Sequence, residues 1–221
     1  EITGKDIYKE LKQEVFPAIC KHINEIKIEY EGREEFKPYE IKNVIKDKTI
    51  YLSSVNNEGK GESQIETSNN ELKLDLSMEN WYVYNDNYGT AEEKKFVKYF
   101  KNEIKPKLDE KNFEYYVIRN ERFSELALYS FDKGERFEPD YLLFIKNKND
   151  DKSEEYQIYA EPKGEQLLLV DKWKEDFLIK IEEKQKTMKN NHKIIGLPFF
   201  NGKGTKLKEF SEVINKFLDQ I

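Results

Sequence analysis

The chain has 221 residues, room for one sizeable core or two small ones. Charged residues make up 37% of it, yet 14 Phe, 14 Tyr and 2 Trp supply enough apolar bulk to exclude a disordered chain. The net charge of −6 excludes a globally basic nucleic-acid binder, although a basic groove can sit on an acidic domain.

Cys20 is the single cysteine, so an intrachain disulfide is excluded and a reducing compartment fits. With only His22 and His192, a His/Cys zinc site is not expected. No long apolar run and no signal-peptide pattern occurs, so the expectation is a soluble, cytoplasmic protein with no membrane partner. Lys outnumbers Arg 34 to 4, which reads as codon bias and carries no functional meaning. A chain opening on Glu1 is read as a piece of something longer.

Along the chain, Ile7, Leu11, Val15, Ile19, Ile23 and Ile26 recur at helical spacing, with Pro17 expected to kink the helix or split it in two. "TIYLSSV" (49–55) and "ELKLDLSM" (71–78) alternate as strands, separated by the turn-rich "NNEGKGES". A soft boundary is placed at residue 80, dividing an N-terminal linker region, 1–80, from a second domain, 81–221. The first region would hold helices and a small antiparallel sheet. In "TAEEKKFVKYFKNEI", Thr90 and Glu93 stand at capping-box spacing before Phe96, Val97, Phe100 and Ile104 on one helical face. Three strands, "FEYYVIR", "FEPDYLLFI" and "YQIYA", follow. Then come a helix with Trp173, Phe177 and Ile181, the strand "KIIGLPFF", and a closing helix with Leu207, Phe210, Ile214 and Leu218. The order predicts an α/β fold whose mixed sheet is flanked by helices.

The segment "KNKNDDKSEE" between the second and third strands has no apolar residue and reads as a hairpin loop. Asp140 and Glu161 are equidistant from its centre, so an antiparallel pair sets them opposite each other. The period of two puts Lys163 on the face of Glu161. Pro139 and Pro162 remove backbone donors where the strands end, which would let them splay. Two neighbouring carboxylates repel unless a cation intervenes, and a hard cation such as Mg²⁺ takes oxygen ligands. A nearby ammonium would orient or deprotonate a water, or neutralise charge on a phosphate. Asp, Glu and Lys converging there fit phosphodiester hydrolysis; the bland alternative is an exposed ion pair worth about 0–1 kcal/mol.

These residues, Pro139-Asp140 and Glu161-Pro162-Lys163, resemble the PD-(D/E)xK nuclease superfamily. Within it, "RFEPDYLLFI", "YQIYAEPKGEQLL" and "DKWKEDFL" make residues 81–221 similar to the C-terminal endonuclease domain of the type III restriction enzyme restriction subunit. The resemblance implies a restriction-endonuclease-like core (helix, three strands, helix, strand), here with an N-terminal α+β extension. It also implies Mg²⁺-dependent cleavage of double-stranded DNA, with Mn²⁺ as a substitute. Asp140 and Glu161 would hold the metal, with Lys163 as the third catalytic residue. In that superfamily an acid on the first core helix often completes the site: Glu93 fits, with Glu92 as competitor and a helix cap as Glu93's other role. No G-x-x-x-x-G-K-[ST] loop is present, so ATP would act only through a helicase region outside this chain. The helicase region of the parent chain and a modification methyltransferase, which reads the DNA sequence, are the partners implied.

Between 184 and 208 lie seven lysines and no acid until Glu209, a local reversal of charge. Lys184, Lys186 and Lys189 there, and Lys172, Lys174 and Lys180 on the preceding helix, are candidate DNA-backbone contacts. A solvated helix end and loop is the alternative. Arg119, Arg122 and Arg136 could meet DNA or pair with neighbouring Glu. A second reading of the chain is a catalytically idle DNA-binding or subunit-docking domain of nuclease fold. A third is a helicase-linked repair nuclease of another branch.

Overall fold

The computed structural model describes residues 4–25, 32, 36, 39–45, 62–148, 155–185 and 192–221. The strand expected from "TIYLSSV" lies outside the described residues. Helix α1 (Gly4–Glu10) runs through a π-helical stretch, Leu11–Val15, into α2 (Phe16–Glu25). Where a kink or two shorter helices are expected at Pro17, this wider turn divides the run into α1 and α2. Phe16 N–H bonds Leu11 O, five residues back, just before the proline that has no N–H to offer. The same device recurs where α4 (Ala91–Tyr99) passes through a π stretch, Phe100–Ile104, into α5 (Lys105–Glu110) with Pro106 in its first turn. The apolar stripe of the first run, Ile7, Leu11, Val15, Ile19 and Ile23, is exposed.

A short helix, α3 (Ile41–Val44), contributes Val44 to the core. Residues 71–78 are irregular, which corrects the expected strand. Leu72 and Leu76 are buried there with Leu74 half-buried, so the alternation reflects burial without ladder pairing. Gln64 supplies the bonds instead: its Nε2 donates to Leu72 O, and Leu74 N–H donates to Gln64 O. The antiparallel pair in this region joins β1 (Glu62–Ser63) to β2 (Tyr88–Gly89). Leu76 packs in one core with Trp81, Phe96 and Phe100, tying residues 62–80 to the elements that follow.

The main sheet comprises β3 (Phe113–Arg119), β6 (Tyr141–Asn147), β7 (Glu155–Ala160) and β8 (His192–Gly196), in that spatial order. The first two pairings are antiparallel and β7 with β8 is parallel, so the sheet is mixed. A hairpin of β4 (Leu128–Tyr129) and β5 (Arg136–Phe137) fills the connection between β3 and β6. Helices α6 (Lys172–Gln185) and α7 (Gly204–Gln220) complete the α/β architecture.

Alternating side chains divide the core into two layers. Tyr115, Val117, Tyr141, Leu143, Ile158 and Ala160 face α4 and α7, meeting Phe96, Phe100, Phe210 and Ile214. Leu142 and Tyr159 face α6 and the hairpin, meeting Phe137, Phe177, Leu178 and Phe199. Strand β8 lies directly on α6: a Cβ on Gly196 would stand 2.0 Å from Leu178 O. Among the described residues no helix is long and apolar enough to cross a membrane.

Candidate active site

The β6–β7 register pairs Tyr141 with Ala160 and Leu142 with Tyr159, and one step further outward it meets Asp140 and Glu161. There the ladder ends. Asp140 donates its backbone N–H to the Glu161 side chain, at Oε2, 2.8 Å away. On its other flank Asp140 O accepts Asn120 N–H at 2.7 Å, continuing the β3–β6 register.

Glu161 and Lys163 are held by the chain beyond β8. Phe200 N–H donates to Glu161 O at 3.0 Å, Lys163 N–H to Phe200 O at 2.8 Å, and Asn201 Nδ2 to Lys163 O at 2.8 Å. Pro162, which has no N–H, bridges Phe200 between them. The EPK segment is thus pinned from the β8 side, and on its β6 side buried Glu161 is held by Asp140 N–H.

The Lys163 ammonium lies 2.7 Å from Glu161 Oε1 and 2.9 Å from Asp171 Oδ2, above the Phe199 ring. Asp171 Oδ1 in turn meets Lys174 at 3.1 Å. From the α4 side comes Glu93, whose Oε2 accepts Arg119 Nε at 3.1 Å and Nη2 at 2.9 Å, while Oε1 accepts Thr90 Oγ1 at 3.0 Å. Thr90 caps α4 by accepting Glu93 N–H. Glu93 therefore serves as cap partner and as a wall of the site at once. Gly89 makes room for it: a Cβ there would lie 2.4 Å from Glu93 Oε2. Glu92 is engaged elsewhere, with Lys95 and with Gly202 N–H, and ties α4 to the loop before α7.

Electrostatically the cluster carries surplus negative charge. Carboxylates Glu93, Glu121, Asp140, Glu161 and Asp171 face the cations Arg119, Lys163 and Lys174. Burial, then the neighbouring Glu161 and Glu93 charges, push the Asp140 carboxyl well above the usual carboxylate range. Burial also raises Glu161, against the pull of Lys163. For Lys163 itself burial favours the neutral amine, but Glu161 outweighs it and holds the ammonium above its ordinary value.

Among the described residues no group of three or more His, Cys, Asp or Glu is gathered closely enough to enclose a metal ion. Glu93 leans on Arg119 and leaves Asp140 and Glu161 as a two-carboxylate donor set. That set fits a hard cation: its donors are oxygens, it is short of positive charge, and burial makes each carboxylate favour a neutralising partner.

Asp140, Glu161 and Lys163 are thus brought together, while Glu93 bonds Arg119 and Thr90 and reaches Asp140 only through its charge. The lysines proposed for DNA are not all. Lys174 joins the cluster through Asp171, its ammonium near the Phe137 and Trp173 rings. Lys172 and Lys180 stand exposed on α6, with Lys184 four residues on, and Lys172 pairs with Asp176. Lys186 and Lys189 lie outside the described residues. Arg119 pairs with Glu93 and Glu121, and Arg136 with Glu138, as the neighbouring-Glu alternative held. Sequence reasoning missed Asp171, Glu121 and Asn120.

A family model, HI_1054_C, described as a C-terminal domain, matches residues 55–219, and the chain belongs to that family. An uncharacterized protein of Haemophilus influenzae (strain ATCC 51907 / DSM 11121 / KW20 / Rd) is 30% identical over 92% of this chain. The chain spans 43% of that relative's length. No solved structure matches the chain.

Proposed function

We propose that this chain is a metal-dependent endonuclease domain with a restriction-endonuclease-like core, hydrolysing phosphodiester bonds of double-stranded DNA. The observation that carries the reading is the opposition of Asp140 and Glu161 at the adjoining ends of β6 and β7, with the Lys163 ammonium 2.7 Å from Glu161. The order helix, three strands, helix, strand, with β8 parallel to β7, supports the core. Asp140 and Glu161 would hold Mg²⁺, with Glu93 as a third ligand if its carboxylate turns from Arg119. The ion would supply Lewis-acid charge at the phosphate and a water of lowered pKa.

The chain's own groups do the rest. Lys163, kept cationic by Glu161, donates to the attacking water or to a phosphate oxygen and offsets charge developing there. The water oxygen bonds to phosphorus and releases a proton to solvent, one P–O ester bond breaks, and the departing oxygen takes up a proton from solvent. Lys172, Lys180 and Lys184, spaced along α6, would meet the DNA backbone without reading bases, with Lys186 and Lys189 beyond them. The parent would be a type III restriction enzyme in phage defence, acting in the cytoplasm with a helicase region and a modification methyltransferase.

One observation favours a second reading, an idle DNA-binding or docking domain. Lys163 is already shared between Glu161 and Asp171, and Glu93 is spent on Arg119. Duplex cleavage by the full parent protein carrying Asp140→Asn distinguishes the two. Loss of cutting supports the nuclease; cutting at the wild-type rate contradicts it.

A further inference from the structure

Among the described residues, two buried side-chain polar atoms lack a hydrogen-bond partner, Tyr84 Oη and Asn120 Nδ2. Asn120 lies at the candidate site. Its residue is 9% exposed, and its Oδ1 accepts Phe123 N–H at 3.1 Å. That bond fixes which end of the amide is oxygen, so the unpartnered group is an N–H donor. The backbone N–H of Asn120 is already bonded to Asp140 O, which places the residue beside the carboxylate pair.

Its placement follows from the sheet. The β3–β6 register brings Arg119 opposite Tyr141 and, through the Asn120 N–H to Asp140 O bond, Asn120 opposite Asp140. Residues opposed in an antiparallel pair put their side chains on the same face. Asn120 and Asp140 therefore stand side by side, and Glu161 completes the row just past the last paired residues of β6 and β7. Asp140 is the middle of the row, with the Lys163 ammonium beyond one end and an unused neutral donor at the other.

We propose that Asn120 is a substrate contact, its Nδ2–H donating to a non-bridging oxygen of a phosphodiester bound over Asp140. The inference rests on the phosphodiester reading of the site. A buried N–H left unpaired is costly, and an anionic oxygen is the partner that repays it most. Surplus acid would repel a phosphate alone, so the anion binds together with the cation, and an uncharged donor adds affinity without competing for the metal. Asn120 is then the counterpart of Lys163 on the far side of Asp140.

The test measures binding of a short DNA duplex to the 221-residue chain in Ca²⁺, which supports binding without turnover, beside Ca²⁺ binding without DNA. Asn120→Ala should weaken the duplex about tenfold while Ca²⁺ affinity stays within about twofold. Asn120→Asp keeps an acceptor for Phe123 N–H, so its fold is retained, and it should lose the duplex at least as strongly without losing Ca²⁺. Unchanged duplex affinity in both variants overturns the inference and leaves the metal site standing. A loss of Ca²⁺ affinity in Asn120→Ala that accounts for all of the duplex loss also overturns it, making Asn120 a positioning residue for Asp140. A wild-type chain that binds neither Ca²⁺ nor duplex contradicts the nuclease reading itself, and this inference with it.

Discussion

Asp140 N–H and Glu161 Oε2 are joined at 2.8 Å, one residue past the last paired rung of β6 and β7. At the end of the ladder Glu161 is bent toward the backbone of its opposite residue, and its other oxygen meets Lys163. A buried and a half-buried carboxylate at adjacent strand ends are an unfavourable arrangement for the protein alone, and that cost is what a bound cation would remove.

Stability should therefore fall as pH rises. Both carboxyls are raised above their ordinary values, so the folded chain holds protons that the unfolded chain has released. The penalty is absent below the unfolded carboxylate range of about 4 and grows as pH rises through the folded values. Asp140→Asn should raise the Tm at pH 7 by a few degrees and flatten its pH dependence. A lower Tm at pH 7 would show that the carboxylate is satisfied in the folded state.

Lys163→Met separates metal binding from chemistry. The methylene stem is kept, and the charge that Glu161 and Asp171 share is lost. Divalent-cation affinity should hold or rise, while duplex cleavage by the parent enzyme falls about 10²-fold or more. Cleavage within a few-fold of wild type would remove Lys163 from the mechanism.

Gly89→Ala tests Glu93 without touching it. The new methyl would lie 2.4 Å from Glu93 Oε2 and 3.0 Å from its Cβ, forcing the carboxylate off Arg119. The expected cost is about 1–3 kcal/mol in denaturant unfolding, with metal affinity altered as well. A silent substitution would mean that Glu93 has room to spare.

Gly196→Ala is a control on the fold. Its Cβ would meet the Leu178 backbone oxygen at 2.0 Å, and neither β8 nor α6 can give way cheaply. We expect a loss of about 3 kcal/mol or more, seen as a lower urea midpoint with an unchanged m-value.

The sequence made the hairpin legible because its loop is wholly polar and its strands are largely apolar, which fixes the centre and hence the Asp140–Glu161 opposition. The α4 cap was equally plain in Thr90 and Glu93. Arg119's pairing with Glu93 and the row through Asn120 were hidden, since the β4–β5 hairpin between β3 and β6 obscures their register. Alternating Leu72, Leu74 and Leu76 misled because burial at every second residue needs no strand when Gln64 bonds the backbone. The apolar stripe from Ile7 to Ile23 gave the helix correctly, but periodicity does not say what covers a face.

The central claim is that Asp140 and Glu161 bind a divalent cation. Titration of the chain with Mn²⁺ by calorimetry, wild type beside Asp140→Ala, tests it most directly, because it needs no translocating partner. Addition of a short duplex completes the site if DNA supplies ligands. The account predicts binding in the wild type, alone or with duplex, that vanishes in Asp140→Ala. Equal binding by both chains, or none by the wild type even with duplex present, would contradict it.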